Sequence, residues 1–270
     1  TASGNWCDAD GCLITPTWNH LWFVAYLLVY TLVLAGLIAW GRPILLRLEQ
    51  ALERLPAWAL LLVPIALLGL ARAVLLPRFG VTHALVDDWY NHVLSFSMFL
   101  FGYLTAKSEI VRGRLIAWRW PALILALGAY LAFSHYAWTW RDAVTAPAAS
   151  LVLIMRFVYA VDQWCAIAAI LGFGARHLNR SHPALSYLTL AVFPYYIVHQ
   201  TVIVVAGHHL AQAGLPQGLE AALLIGLTVA ACGATYEIVR RVPLLRPLFG
   251  LKPEPREPAA AETVLPIRNG

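Results

Sequence analysis

Residues 20–40 read HLWFVAYLLVYTLVLAGLIAW, twenty-one positions with no Asp, Glu, Lys or Arg among them. An α-helix rises 1.5 Å per residue, so this run extends about 31 Å, the thickness of a bilayer's hydrocarbon core. Six more apolar runs follow, near 57–76, 89–106, 119–137, 148–174, 184–206 and 219–238. No water reaches the backbone in hydrocarbon, so each run must satisfy its own N–H and C=O groups, and a helix does that. Pro64, Pro121 and Pro194 fall within or beside these runs. Membrane helices tolerate proline, and Pro194 is expected to kink its helix. The expected fold is all-α: a polytopic membrane helical bundle of about seven transmembrane helices.

The composition agrees. Of 270 residues, 60% are hydrophobic and 12% charged, and the mean hydropathy is +0.68. A soluble domain carries about 25% charged residues, and half that number cannot clothe a globule of this size in water. A soluble enzyme is excluded, and so is a disordered chain, which needs low hydrophobicity. A β-barrel is excluded because its strands alternate over about ten residues instead of running continuously apolar.

The loops orient the bundle. Lysine occurs only at Lys107 and Lys252; the other 17 basic residues are arginine. Arg42, Arg47 and Arg54 follow the first run. Lys107, Arg112, Arg114 and Arg119 follow the third, Arg176 and Arg180 the fifth, and six more lie after the seventh. The alternate loops hold only Arg78 and Arg141, so fifteen basic residues lie on one side and two on the other. The positive-inside rule assigns the fifteen to the cytoplasm, which places the amino end outside and the carboxyl end inside. The net charge of +5 is then a topology signal with some attraction to membrane lipid, and no nucleic-acid partner is expected. The expected organisation is an outer loop over 1–19, a transmembrane domain over 20–238 and a cytoplasmic tail over 239–270. The tail is rich in Pro, Glu and Ala and is read as disordered from about 251.

An ionisable side chain inside a membrane helix costs about 2.5–3.5 kcal/mol on insertion scales, which makes each one a functional candidate. Arg72 lies near the outer end of the second run, Arg156, Asp162 and Gln163 in the fifth, and Tyr196, His199 and Gln200 in the sixth. Arg156, Tyr159 and Gln163 are spaced i, i+3, i+7 and share a helix face. Asp162, six residues from Arg156, points about 240° away, which argues against an ion pair within the helix. His20 and Trp22 open the first run, and Asp88 and His92 the third. By depth, Arg72, Arg156 and His199 all fall in the outer half, and their convergence would make a polar cavity open to the outside. Each has a plainer reading: Trp22 as an interface anchor, Arg72 as a snorkelling charge, His199 as a hydrogen-bonding packer.

Other chemistries leave no trace. No Gly-rich phosphate loop, G-x-S-x-G elbow or H-E-x-x-H motif occurs, and a retinal protein would need a lysine in the last helix. Cys7 and Cys12 would lie in an oxidising compartment if the outside is a periplasm, where a short-loop disulfide is one option. Zinc would need two more ligands than they supply, and no metal is expected.

Three motifs carry a family resemblance. The string Pro16-Thr17-Trp18-Asn19-His20-Leu21-Trp22-Phe23-Val24-Ala25-Tyr26-Leu27-Leu28 is similar to the HLWFL-x-x-LL signature of acyltransferase family 3 membrane proteins. Asp88-Trp89-Tyr90-Asn91-His92, followed by Phe96, Phe99, Leu100, Phe101, Gly102 and Tyr103, resembles that family's middle segment. Phe193-Pro194-Tyr195-Tyr196-Ile197-Val198-His199-Gln200 resembles its late P-x-Y-x-x-H helix. Within the family, the subgroup of the glucans biosynthesis protein C type is the most similar. The resemblance implies a multi-pass protein of the bacterial inner membrane. It would move an acyl group, succinyl or acetyl, from a cytoplasmic thioester donor, acyl-CoA, to a hydroxyl of a periplasmic glucan or other polysaccharide. No bound cofactor is implied. The family's core has about ten helices with both ends cytoplasmic. Three helices ahead of Thr1 would restore that topology, and the first of them carries the family's catalytic histidine. The chain is accordingly read as the carboxy-terminal seven helices, incomplete and inactive alone.

The catalytic candidates are His199, as general base, and Arg156, for the thioester oxyanion or a succinyl carboxylate. The substrate-binding candidates are His20, Trp22, Arg72, Asp88, His92, Tyr159, Asp162, Gln163, Tyr196 and Gln200. The alternative reading is a transporter or permease with the outward polar cavity as its solute path.

Overall fold

The structure, a computed structural model, describes residues 21–253 in full and residues 6–8 and 11–13 as backbone. The short strands β1 (Trp6–Asp8) and β2 (Gly11–Leu13) form an antiparallel hairpin in which Cys7 lies opposite Cys12. Helices follow: α1 (Trp22–Trp40), α2 (Arg42–Arg54), α3 (Ala57–Val74), α4 (Leu76–Phe79), α5 (Trp89–Thr105), α6 (Glu109–Trp140), α7 (Ala149–His177), α8 (Pro183–Gln212), α9 (Gln217–Arg241) and α10 (Leu245–Leu248). The chain divides into two compact units, Thr1–Arg180 and Ser181–Gly270.

The fold is the all-α membrane bundle that the apolar runs predict, with two adjustments. Among the described residues six stretches are long and apolar enough to cross a membrane: α1, α3 with α4, α6, α7, α8 and α9. The remaining run, α5, is a helix of 17 residues, about 25 Å long and at the lower limit for a crossing. The second adjustment concerns the basic loops. The stretch after α1 is the helix α2, whose Leu45 is buried. Arg112, Arg114 and Arg119 lie on α6, which starts ten residues before the apolar run at 119. Ser108 caps it by accepting the Val111 N–H at 3.3 Å, and Glu109 in the first turn complements the helix dipole. The Ser108 hydroxyl also donates to Glu53 at 2.7 Å, and Arg114 donates to the Glu53 carbonyl, which ties α2 to α6. α9 runs to Arg241, α10 follows, and Leu251 is buried against Ala191, Tyr236 and Val239. Residues 254–270 lie outside the described residues.

The first unit is organised around α3, α6 and α7. Small side chains line the contact, Ala122 and Ala126 on α6 and Ala160, Ala168 and Ala169 on α7. They let backbones approach where no hydrophobic force draws helices together. At Gly172 the approach is closest: an added Cβ would overlap the Leu115 carbonyl oxygen. Pro64 sits inside α3 without breaking it. A proline has no N–H to offer the carbonyl four residues earlier, here Leu60. The buried Trp164 indole on α7 donates to that carbonyl at 2.9 Å. The orphan group is thus satisfied from a neighbouring helix, as hydrocarbon requires. Around this core, Leu28, Leu32, Ile124 and Ile170 face outward, a wasteful surface in water and an ordinary one in lipid.

The second unit pairs α8 with α9, and α10 folds back beneath them. The return is made at Gly250, whose φ of +71° an L side chain rarely adopts and whose Cβ position lies 2.7 Å from Phe193.

Candidate functional site

In the first unit, α1 and α5 meet in register. Tyr26 and Tyr30 are four apart on α1; Asp88 and His92 are four apart at the start of α5. The Tyr26 hydroxyl donates to Asp88 Oδ2 at 2.5 Å, and the Tyr30 hydroxyl lies 3.0 Å from His92 Nδ1. Two matched steps in the same sense mean that the helices run side by side in one direction. Tyr26 and Asp88 are both completely buried.

Asp88 draws the preceding loop inward. Its carboxylate accepts from Tyr26, from Asn91 Nδ2 at 2.8 Å, and from the His83 and Thr82 N–H groups at 3.0 and 3.4 Å. Burial pushes the carboxyl upward, but these bonds outweigh it and hold the group below the usual carboxylate range. Its negative charge is thus satisfied by donors alone. The loop carries three residues in the left-handed region, His83, Leu85 and Asp87, with φ of 54°, 65° and 60°. Such conformations cost about 1–3 kcal/mol each and persist only where surroundings enforce them. The enforcing contacts are visible: Leu85 N–H donates to the Tyr26 hydroxyl at 3.0 Å, and His92 Nε2 meets the Leu85 carbonyl at 2.7 Å. A carbonyl only accepts, so Nε2 carries the ring proton and Nδ1 accepts from Tyr30. Both nitrogens of His92 are therefore committed to positioning the loop. Trp22, beyond any anchoring role, lies 4.2 Å ring to ring from His83.

A second cluster lies where α3 meets α7. The Arg72 guanidinium sits 3.7 Å from the centre of the Tyr159 ring and 5.7 Å from that of Tyr90. Arg156 Nη1 donates to the Ala73 carbonyl at 3.3 Å. Among the described residues neither arginine pairs with a carboxylate. Ring faces and a carbonyl orient these cations without neutralising them. Asp162 makes no ion pair with Arg156, and it has none with any other described residue. Gln163 reaches toward α1 and α5, where it lines a hollow of about 390 Å³ with Tyr30, Asn91, Ser95 and Met98. Among the described residues its buried Oε1 has no hydrogen-bond partner.

His199 belongs to the second unit. Its Nδ1 lies 2.8 Å from the Tyr196 carbonyl and 3.1 Å from that of Tyr195. Two acceptors at one nitrogen place the proton on Nδ1 and make Nε2 the ring's basic nitrogen. The Tyr196 ring accompanies it at 5.8 Å, while Tyr195 turns toward Tyr236 on α9. His199, Tyr195 and Tyr196 line an apolar hollow of about 330 Å³ closed on the α9 side by Thr228, Val229 and Cys232. Gln200 is half-buried.

Of the residues singled out by sequence, Arg72 and Tyr159 meet, Asp88 and His92 join one network, and Tyr196 and His199 line one hollow. His20 lies outside the described residues. Tyr30 and the loop residues 82–87 were not among the candidates. The signal for Tyr30 was present as a pair of tyrosines four apart facing a polar pair four apart, each 62 residues on. Among the described residues no group of three His, Cys, Asp or Glu could hold a metal ion.

A family model described as an acyltransferase domain matches residues 3–237. Three relatives, each a glucans biosynthesis protein C, come from Salmonella paratyphi B, Salmonella enteritidis and Salmonella choleraesuis. Each is 25% identical to this chain over 259 residues, a match covering 90% of this chain and 64% of the relative. The chain thus spans just under two thirds of the length of these curated relatives. No solved structure matches.

Proposed function

We propose a function from one premise: the chain belongs to the acyltransferase family whose domain it matches over residues 3–237. It is a multi-pass membrane protein, and the reading is an integral-membrane O-acyltransferase of a bacterial inner membrane. The fifteen basic residues on one side mark the cytoplasm, where the donor is an acyl thioester, acyl-CoA. The acceptor is a hydroxyl of a periplasmic glucan or another polysaccharide, and the group moved is succinyl or acetyl. The relatives' name supports the glucan.

The observation that carries this reading is a pair of intramembrane arginines, Arg72 and Arg156, without a carboxylate partner among the described residues. A charge costly to bury and not neutralised is available for charge that arrives with a substrate. Acyl transfer supplies it: the acceptor oxygen attacks the thioester carbon, and negative charge grows on the carbonyl oxygen. Arg156 meets that oxygen, or grips a succinyl carboxylate in a bidentate pair. A general base takes the hydroxyl proton, a task that suits a histidine at near-neutral pH, and His199 of the second unit is the candidate. The C–S bond then breaks and the thiolate leaves with a proton. Tyr159 orients Arg72, and Trp22, Asp88 and His92 hold the loop that borders the acceptor side. Asp162, Gln163, Tyr196 and Gln200 offer hydrogen bonds to the acceptor.

The test is Arg156→Ala in the complete membrane-embedded protein, assayed for acyl transfer to glucan with acyl-CoA. Transfer should be lost while insertion and expression stay unchanged. Retained transfer overturns the role of Arg156. Solute uptake by vesicles without thioester consumption overturns the enzyme reading in favour of a permease.

A further inference from the structure

The chain on either side holds α2 at a membrane surface. α1 before it and α3 after it are both long and apolar enough to cross a membrane. Gly41 alone separates α2 from α1, and Leu55 and Pro56 separate it from α3. Links this short reach about 11 Å at most, so both ends of α2 stay beside the ends of membrane-crossing helices. Trp40 and Trp58, one at each junction, are exposed, as aromatic anchors at a lipid–water boundary are.

The four sides of α2 differ in chemistry. At 100° per residue, Ile44, Leu48 and Ala51 fall within about 60° of one another, and all three are exposed. To one side of this apolar stripe are Leu45 and Leu52, which face the bundle: Leu45 is buried, and Leu52 packs on the core built by α3, α6 and α7. To the other side are Arg47 and Arg54, about 20° apart and exposed. Opposite the stripe lie Leu46, Gln50 and Glu53. Glu53 lines a hollow of about 250 Å³ with Glu49, Lys107 and Ser108, so this polar side continues into the turn between α5 and α6.

A helix lying flat on a bilayer beside its own bundle meets four surroundings: protein, acyl chains, headgroups and water. We infer that α2 lies in the plane of the lipid–water interface, with Ile44, Leu48 and Ala51 among the acyl chains and Arg47 and Arg54 at the phosphates of anionic phospholipid. The stripe then continues the lipid-facing surface of α1 and α3, where Leu28, Leu32 and Leu62 are exposed. Arginine stems lie along apolar surface while the charged heads reach headgroup level, and their forks match phosphate oxygens bidentately. Lipid held there bears on the rest of the first unit, because Glu53 of the same helix accepts the Ser108 hydroxyl at the start of α6 and its carbonyl accepts from Arg114.

Leu46 and Leu48 are 46% and 40% exposed on nearly opposite sides of α2, so exposure treats them alike and a membrane separates them. The experiment uses the full chain with Cys7→Ser and Cys12→Ser, which leaves the buried Cys165 and Cys232. A thiol-reactive fluorophore is attached at Leu46→Cys or Leu48→Cys, and the protein is placed in nanodiscs of phosphatidylcholine and phosphatidylglycerol. Lipids spin-labelled on the acyl chain should quench the label at 48, and aqueous iodide the label at 46. The ratio of lipid to iodide quenching should differ at least about fivefold between the positions, since an interfacial helix buries its apolar face about 5–10 Å deep. Iodide quenching at both positions overturns the placement, because α2 then stands in water. Protection of position 48 from both quenchers overturns it in favour of a covering protein segment or a second copy. In a second arm, native mass spectrometry compares phosphatidylglycerol with phosphatidylcholine retained by the protein. Arg47→Gln with Arg54→Gln should lower that preference about fivefold or more, the effect of removing basic residues from an anionic surface. An unchanged preference overturns the phosphate contact.

Discussion

Asp88 and Arg156 are both charged groups that a hydrocarbon environment makes expensive, and the protein treats them in opposite ways. Asp88 is completely buried and accepts from four donors within one loop and two helices. Arg156 has one carbonyl at 3.3 Å and no counter-charge among the described residues. The contrast shows that burial of a charge does not by itself mark a functional residue. The count of partners does the sorting: a charge whose capacity is used up inside the protein holds structure, and one whose capacity is left over can act on a ligand.

Removing Asp88 tests the first half and should have the largest effect. Asp88→Ala strands the Tyr26 hydroxyl, the Asn91 amide and the His83 N–H, and frees a loop with three left-handed residues. Thermal unfolding in detergent should show a loss of about 3–5 kcal/mol. A loss under about 1 kcal/mol would break the comparison. The second half predicts the reverse pattern. Arg72→Leu and Arg156→Leu remove charges that cost about 2.5–3.5 kcal/mol to insert, so stability should hold or rise by up to about that amount. Acyl transfer should fall about a hundredfold or more, the scale for losing one oxyanion partner. Destabilised leucine variants would show that these arginines are structural too.

A third test extends the partner count to a neutral group. Trp164→Phe keeps the ring against Phe101 but strands the Leu60 carbonyl, at about 1–3 kcal/mol. Adding Pro64→Ala returns an N–H to that carbonyl, so the double variant should recover most of the loss, and a double-mutant cycle in unfolding energies measures it. Strict additivity would mean that the indole only packs. The smallest effect is an acid limb. The Asp88 carboxyl sits below its usual range when folded, so its contribution is complete above the unfolded value near about 3.9 and fades as pH falls through the folded value. Melting temperature plotted against pH should drop below about pH 4 in the wild type and less steeply in Asp88→Asn.

Much of this was legible in the linear chain, and the illegible part has one cause. The apolar runs, their helical state and the charge asymmetry are local: they follow from which side chains stand within about twenty neighbouring positions. Even there, α2 and the first turns of α6 were misread as loops, because their charges masked helices with an apolar face and a Ser108 cap. The roles of Tyr30 and of the 82–87 loop were not legible, since their partners are remote. Asp88 read as a free polar residue at a helix start, and only Tyr26, 62 positions earlier, shows that it is taken.

The amino-acid sequence alone therefore determined a bundle of membrane helices, the uneven distribution of basic residues among its loops, and the family motifs around His20, Asp88 and His199. Lipid enforces these locally, through the length of apolar helix it needs and the charges it refuses. Only the tertiary structure decided which polar groups are spent and which are left. That depends on contacts such as Trp164 to Leu60, 104 residues apart, and a hydrogen bond is satisfied by position in space rather than by place in the chain.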